Sequence, residues 1–453
     1  MKKRLQTAAV VAVSAILGLG GCGGGNQPGA ENPGTSGTTP AEAATEVTTG
    51  TQQLNSGDSG GLLRVTWWGN QVRNEVTNQV LSMYQEEHPE VSFESEFTDF
   101  ANYWSKLATL AASNSLQDVM QMNHIYLPDY ARNGLLLDLT PYVEDGTLNL
   151  DQVSANMTGS GMVDGKIYAV SLGANAPALV YNADVAAAAG VEIRDNMSIA
   201  EFIEISRTIY EKTGVQTNIA YGYMENFAEY YVRDQGYVLF EENKLGVPDP
   251  SVFEDLFRFY ADALAEGWQI DASHFVELSP GTIETDPLIS GKSWAFFCFS
   301  NQLGAIRSAA PDVNFGITTW PADHPEKANY VKPALFFSVA ANTGSPQAAV
   351  GLVDYVTNSV PANEVLLAER GVPVSGAVSE AIKPLLGEAK QAEFDYVELV
   401  NQTSSPMNPP AKGRSSEVNI LMNGLVEKLL YGQLTPEEAA AQLYQQGNEI
   451  MAQ

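Results

Sequence analysis

Glu94 and Glu96 stand two apart in a run of alternating apolar residues, so a strand there turns both carboxylates to one side. Paired carboxylates suit glycoside hydrolysis, one acting as acid and the other as base or nucleophile. In a chain with 54 Asp and Glu, however, a solvated surface is the default setting for such a pair. No nucleophile elbow, metal triad or phosphate loop accompanies them. The four histidines (His88, His124, His274, His324) lack a metal-ligand spacing, so no metal site is expected. Cys298 lies in the apolar run 294–299 and reads as a buried, inert thiol, which leaves no disulfide to form in the folded part. The residue types therefore speak for recognition rather than bond making, and neither a catalytic residue nor a cofactor is assigned.

The formal charge of −30 argues against nucleic acid and anionic membrane surfaces as partners. With 453 residues the chain exceeds what one hydrophobic core serves, so two lobes are expected. Residues 1–22 read as a secretory signal: Lys2, Lys3 and Arg4 precede an apolar run at 8–19 that is too short for a permanent span. That run ends in Leu19, Gly20, Gly21 and Cys22, which resembles a bacterial lipobox and makes Cys22 the expected lipidation site. A plain signal peptide with an incidental cysteine is the alternative. Residues 23–61 are rich in Gly, Pro, Thr, Ser, Asn and Gln, hold almost no large apolar side chain, and read as a disordered tether.

From Leu62 the pattern changes. The run 63–68 is short, apolar and aromatic, as a buried strand is. Val76, Val80, Leu81 and Tyr84 recur at helical spacing until Pro89. Val91, Phe93 and Phe97 alternate, a helix with Tyr103, Leu107 and Leu110 on one face follows, and 118–122 reads as a third strand. Strand, helix, strand, helix, strand is the grammar of an α/β lobe with a largely parallel sheet. Ser198 with Glu201, Ser251 with Glu254, and Thr435 with Glu438 fit capping boxes. Val418, Leu421, Met422, Leu425, Val426 and Leu429 form a helical stripe that Gly432 ends.

The stretch 65–143 resembles the opening lobe of the bacterial extracellular solute-binding proteins of family 1, the maltose-binding type. The motifs carrying the resemblance are Trp67-Trp68-Gly69, the helix ending in Glu86-Glu87-His88-Pro89, Asp118-Val119, and Asn133-Gly134-Leu135-Leu136-Leu137-Asp138-Leu139. Gly165 to Val170 running into Leu179-Val180-Tyr181-Asn182 resembles the family's first crossing between lobes, 332–339 its return strand, and Arg370-Gly371-Val372-Pro373 its final crossing. Gln117 stands where the family usually has Pro, and Met197 where Trp is frequent. The resemblance implies an α/β, two-lobed periplasmic-binding-protein-like (type II) fold, each lobe a mixed, largely parallel sheet flanked by helices. Residues 62–172 plus 332–370 would form lobe 1, and 173–331 plus 371–453 lobe 2.

It also implies a monomeric, lipid-anchored protein on the outer face of the membrane, which passes a small solute, most often an oligosaccharide, to the permease of an ABC importer. A surface-anchored carbohydrate-active enzyme and a co-receptor for a membrane sensor are the alternatives. Such a cleft lies at strand ends and uses aromatic faces for sugar rings and amides or carboxylates for hydroxyls. That directs attention to Trp67, Trp68 and Asn70 after the first strand, Asp99 and Tyr103 after the second, and Asn123 and His124 after the third. Strand alternation lets at most one of the two tryptophans face the cleft, with Trp68 favoured and core packing the alternative. Near the crossings stand Gly173, Asn175, Lys332 and Arg370, the two cations having salt bridges as their competing explanation. On the second lobe the candidates are Tyr223, Glu225, Asn226, Phe299, Asn301 and, as the second aromatic platform, Trp320.

Overall fold

The apolar run at the start of the folded sequence becomes an interior strand of a sheet in the computed structural model, which describes residues 61–221, 223–277, 283–410 and 413–453. The signal segment, Cys22 and all but the last residue of the 23–61 tether lie outside the described residues. In chain order the strands are β1 (Gly61–Trp68), β2 (Val91–Thr98), β3 (Val119–Met122), β4 (Met162–Val163), β5 (Lys166–Ile167), β6 (Val170–Ser171) and β7 (Ala174–Asn175). They continue with β8 (Pro177–Asn182), β9 (Gln216–Asn218), β10 (Ser293–Phe299), β11 (Phe315–Thr318), β12 (Lys332–Pro333) and β13 (Phe336–Val339).

The first sheet has the order β2-β1-β3-β13-β6, with β1 parallel to both neighbours and β13 antiparallel to β3 and β6. Leu63, Val65 and Trp67 of β1 enter one core with Val80, Leu81 and Tyr84 from the helix Gln71–Glu87. That helix stops before Pro89, because the residue preceding a proline disfavours helical backbone. The opposite face, with Met120 and Met122 of β3, packs on Tyr103 and Leu107 of the helix Phe100–Ala112.

The second sheet runs β11-β8-β10-β9, and within this mixed arrangement two pairings are antiparallel, because β8 enters directly from the crossing and runs against both β10 and β11. Alternation sorts its side chains: Ala295 and Phe297 of β10 join one core, Phe296 and Cys298 the other. Burial holds the Cys298 thiol far above the usual thiol range, so it stays protonated and inert. The helices Pro346–Asn358 and Val360–Leu366 cover the first sheet, and Glu388–Thr403 packs on the second.

The capping boxes at Ser198/Glu201 and Thr435/Glu438 form. The one expected at Ser251/Glu254 does not. Asp249 accepts from the backbone N–H and hydroxyl of Ser251, Pro250 becomes the cap, and Glu254 turns to Arg258. The C-terminal stripe lies on the helix Ser415–Leu430, and Gly432, with φ +67°, takes the left-handed conformation after it.

Candidate functional site

Three chain segments cross between the sheets at one place. β7 pairs with β12, Asn175 opposite Lys332, and Ala174 exchanges backbone hydrogen bonds with Val372 at 2.7 and 3.2 Å. The packing is close enough that a Cβ on Gly173 would sit 2.0 Å from the Arg370 carbonyl oxygen, so only glycine fits there.

On the first-sheet side, Trp67 is fully buried, donates from Nε1 to Asn74 at 2.9 Å and stacks on Phe97. Its neighbour Trp68 points the other way, is half-buried, and gathers Phe100, Tyr103 and Trp104 at ring-centroid distances of 5.4, 5.2 and 5.5 Å. Trp104 stacks on Tyr126 at 3.9 Å. Phe100, Ile125 and Tyr126 are 49%, 58% and 36% exposed, so this end of the sheet presents an open aromatic and aliphatic patch.

Asn70 and Asp99 cap the two helices that follow β1 and β2, accepting from Arg73 N at 2.9 Å and Asn102 N at 3.1 Å. Asn123 accepts from Ile125 N at 2.9 Å, a local turn that presents Ile125 and Tyr126. Tyr103 is buried and donates to the Gln121 carbonyl, so it braces the patch from behind.

The second-sheet side begins at Tyr223, whose hydroxyl bonds Gln302 at 2.8 Å and whose ring lies edge-on to Phe299 at 5.8 Å. Glu225, Asn226 and Glu229 follow on the helix Met224–Asp234. Between the two sides lie two adjoining cavities of about 440 and 810 Å³, both reached by His124, Ile125 and the segment 407–410. Glu225, Asn226, Glu229 and Lys332 wall the smaller; Asp129, Arg132 and Asn156 are among those walling the larger. Burial pushes the Glu229 carboxyl up, with Arg233, Asn408 and Lys332 opposing, and pushes the Lys332 ammonium down, with Glu229 opposing. The Lys332 Nζ sits 4.7 Å from the centre of the Phe299 ring. Burial, then the neighbouring Lys332, bring the His124 imidazole down to about 4, so it is neutral at pH 7.

Of the expected residues only His124, Glu225, Asn226 and Lys332 line the cavities, and among the others Trp320, Arg370 and Asn301 stand well apart from them. Trp320 is fully enclosed: its Nε1 donates to the Ala178 carbonyl at 2.8 Å and its ring packs among Phe227, Tyr230 and Phe297, so it offers no open face. It backs Phe299 at 6.1 Å instead. Arg370 turns into the first-sheet side, donating to Thr77 at 2.7 Å and Gln121 at 3.4 Å. There Gln121 and Arg73 both donate to the Trp68 carbonyl, which fixes the end of β1. Asn301 is exposed on the turn Ser300–Gln302 and lines neither cavity. Glu96 is engaged by Lys106 and by Gln117 at 3.0 Å, away from both cavities, and Glu94 is exposed.

Sequence reasoning overlooked the segment 404–410, Ser-Ser-Pro-Met-Asn-Pro-Pro, between two long helices. Buried Arg233 holds it, donating to Asn408 Oδ1 and Ser405 Oγ at 2.6 Å each and to the carbonyls of Ala328 and Lys327 at 3.2 and 3.1 Å. Asn408 in turn donates to Glu229 at 3.2 Å. Three prolines in five residues were the available signal for a stiff, extended wall. Among the described residues no group of three His, Cys, Asp or Glu could hold a metal ion, and no helix is long and apolar enough to cross a membrane.

Residues 79–383, more than half of the chain, match the sequence profile of the bacterial extracellular solute-binding proteins. The chain belongs to that family. An extracellular solute-binding protein of family 1 from Alicyclobacillus acidocaldarius shares the fold with a TM-score of 0.79 and 25% identity, over 88% of this chain and 100% of the other. A periplasmic oligogalacturonide-binding protein from Yersinia enterocolitica aligns with a TM-score of 0.73 and 19% identity, over 86% and 99%. The GacH receptor of Streptomyces glaucescens, whose structure was determined with acarbose, aligns with a TM-score of 0.61 and 21% identity, over 86% and 98%. The α/β solute-binding fold of this protein is thus shared along nearly its whole described length, and these relatives are binding proteins.

Proposed function

We propose that this solute-binding protein captures an oligosaccharide in the cleft between its two sheets, without chemical change, and delivers it to the permease of an ABC importer. One observation carries the reading. The smaller cavity draws side chains from both sheets, His124 and Ile125 from one and Glu225, Asn226 and Glu229 from the other, where three crossing segments meet over Lys332. The exposed rings beside Ile125 suit the apolar faces of sugars, and the amides and carboxylates opposite suit hydroxyls. Relatives of the same fold bind oligogalacturonide and acarbose, which supports a saccharide.

In this reading residues 62–172 with 332–370 form one lobe and 173–331 with 371–453 the other, and the crossing strands act as hinge. A ligand touching both lobes favours the closed state by its differential contacts. Cys22 carries a lipid and the residues after it tether the protein to the outer face of the membrane. A thermal-shift screen of the protein against mono- and oligosaccharides, with amino acids, polyamines and metals as controls, tests the ligand class. A saccharide at a hundredfold excess over its dissociation constant should add about 2.7 kcal/mol. Silence from all saccharides with a shift from a control would overturn the carbohydrate reading.

A further inference from the structure

The charges lining the cleft are lopsided in a way that bears on which saccharide it takes. The smaller cavity carries the carboxylates of Glu225 and Glu229 against one ammonium, Lys332. The larger carries Asp129 and Asp164 against one guanidinium, Arg132, in addition to Glu242, which has an interaction of its own. Neither cation stands ready for an incoming anion. Arg132 already directs Nε and Nη2 to the two oxygens of Asp164, at 3.1 and 3.2 Å. Lys332 is half-buried, turned onto the Phe299 ring at 4.7 Å, and shares its surroundings with Glu229. His124, the remaining basic side chain on both cavities, is half-buried and neutral at pH 7. A sugar carboxylate entering the larger cavity would have to displace the Arg132–Asp164 pair, and in the smaller one it would meet two carboxylates against the single Lys332 ammonium, whereas an added ammonium would meet an excess of carboxylate in both.

We propose that the cleft ranks saccharides by charge, preferring those that carry a basic amine, then neutral ones, and rejecting uronates. This rests on the saccharide reading above. It also separates the protein from the oligogalacturonide-binding relative that shares its fold.

The test is calorimetric titration of the whole protein at pH 6, where sugar amines are largely protonated, with pairs matched in ring structure: trigalacturonate against its methyl ester, and a glucosamine trimer against its N-acetylated form. The amine-bearing member should bind about tenfold more tightly than its neutral partner, and the methyl ester at least about tenfold more tightly than the free uronate. Salt near 1 M, where the Debye length is about 3 Å, should narrow each ratio. Glu225→Gln should narrow the amine preference as well. Silence from every saccharide would overturn the carbohydrate reading and this ranking together. Binding in which trigalacturonate equals or exceeds its ester, or the amine gives no gain, would overturn the ranking alone, and ratios unmoved by Glu225→Gln would remove that carboxylate from it.

Discussion

His124 gives the cleft a measurable pH signature. Burial and the nearby Lys332 bring its imidazole from 6.5 to about 4, so between those values the unfolded chain binds a proton that the folded protein refuses. Wherever the unfolded state holds more protons, stability rises with pH. This residue therefore adds nothing to the pH dependence above about 6.5 and destabilises the fold as pH falls from there to about 4. That drop corresponds to roughly 3 kcal/mol by the time pH 4 is reached. Asp286 works in the opposite sense. Buried, and only partly compensated by Leu288 N and Asn218, its carboxyl rises from 3.8 to about 7, so the folded protein holds the extra proton and stability falls as pH rises across that window. The wild-type curve thus mixes opposed contributions, with Glu229, Asp234 and Glu393 also pushed up by burial, and the informative quantity is the difference from His124→Gln. Urea denaturation followed by tryptophan fluorescence at half-unit steps from pH 4 to 7.5 should show the variant gaining about 3 kcal/mol on the wild type toward pH 4, with a flat difference above 6.5. A difference curve flat throughout would refute the burial of a neutral imidazole at the cleft.

Arg233→Met keeps the aliphatic stem but removes donors to four groups, so unfolding free energy should fall by about 3 kcal/mol in chemical denaturation; a loss below about 1 kcal/mol would mean the segment 404–410 is held by other means. Gly173→Ala forces a methyl to within 2.0 Å of the Arg370 carbonyl, and scanning calorimetry should register a loss of about 2 kcal/mol or more. Tyr126→Ala removes half of the Trp104 stack from a partly open surface, so saccharide affinity measured by titration should drop about tenfold. Cys22→Ser should leave folding unchanged and release the protein from membranes in a fractionation assay; retention would contradict the lipid anchor.

What could be read from the sequence was local. Alternation along β1 separates Trp67 from Trp68, and the folded chain sends the first to the core and leaves the second half-buried. The helix stop at Pro89 and two capping boxes depend on residues within four positions of one another, so spacing alone exposes them. At Ser251 an equally local competitor, Asp249, takes the hydrogen bonds instead. Trp320 follows a strand, as a binding aromatic would, but its surroundings come from residues 178, 227, 230 and 297, and no local pattern reports that enclosure. Arg370 is likewise placed by Thr77 and Gln121, more than 240 positions away. The wall at 404–410 depends on Arg233, some 170 residues earlier, and the aromatic patch on rings from three successive strand ends.

The account turns on a saccharide held from both sides, and hydrogen exchange with and without a saturating saccharide found in the screen addresses that most directly. Amides in 123–126, 223–229 and 404–410 should gain protection together, since these segments wall the smaller cavity from both sheets. Protection confined to one side, or appearing only at surfaces remote from the crossing strands, would contradict it.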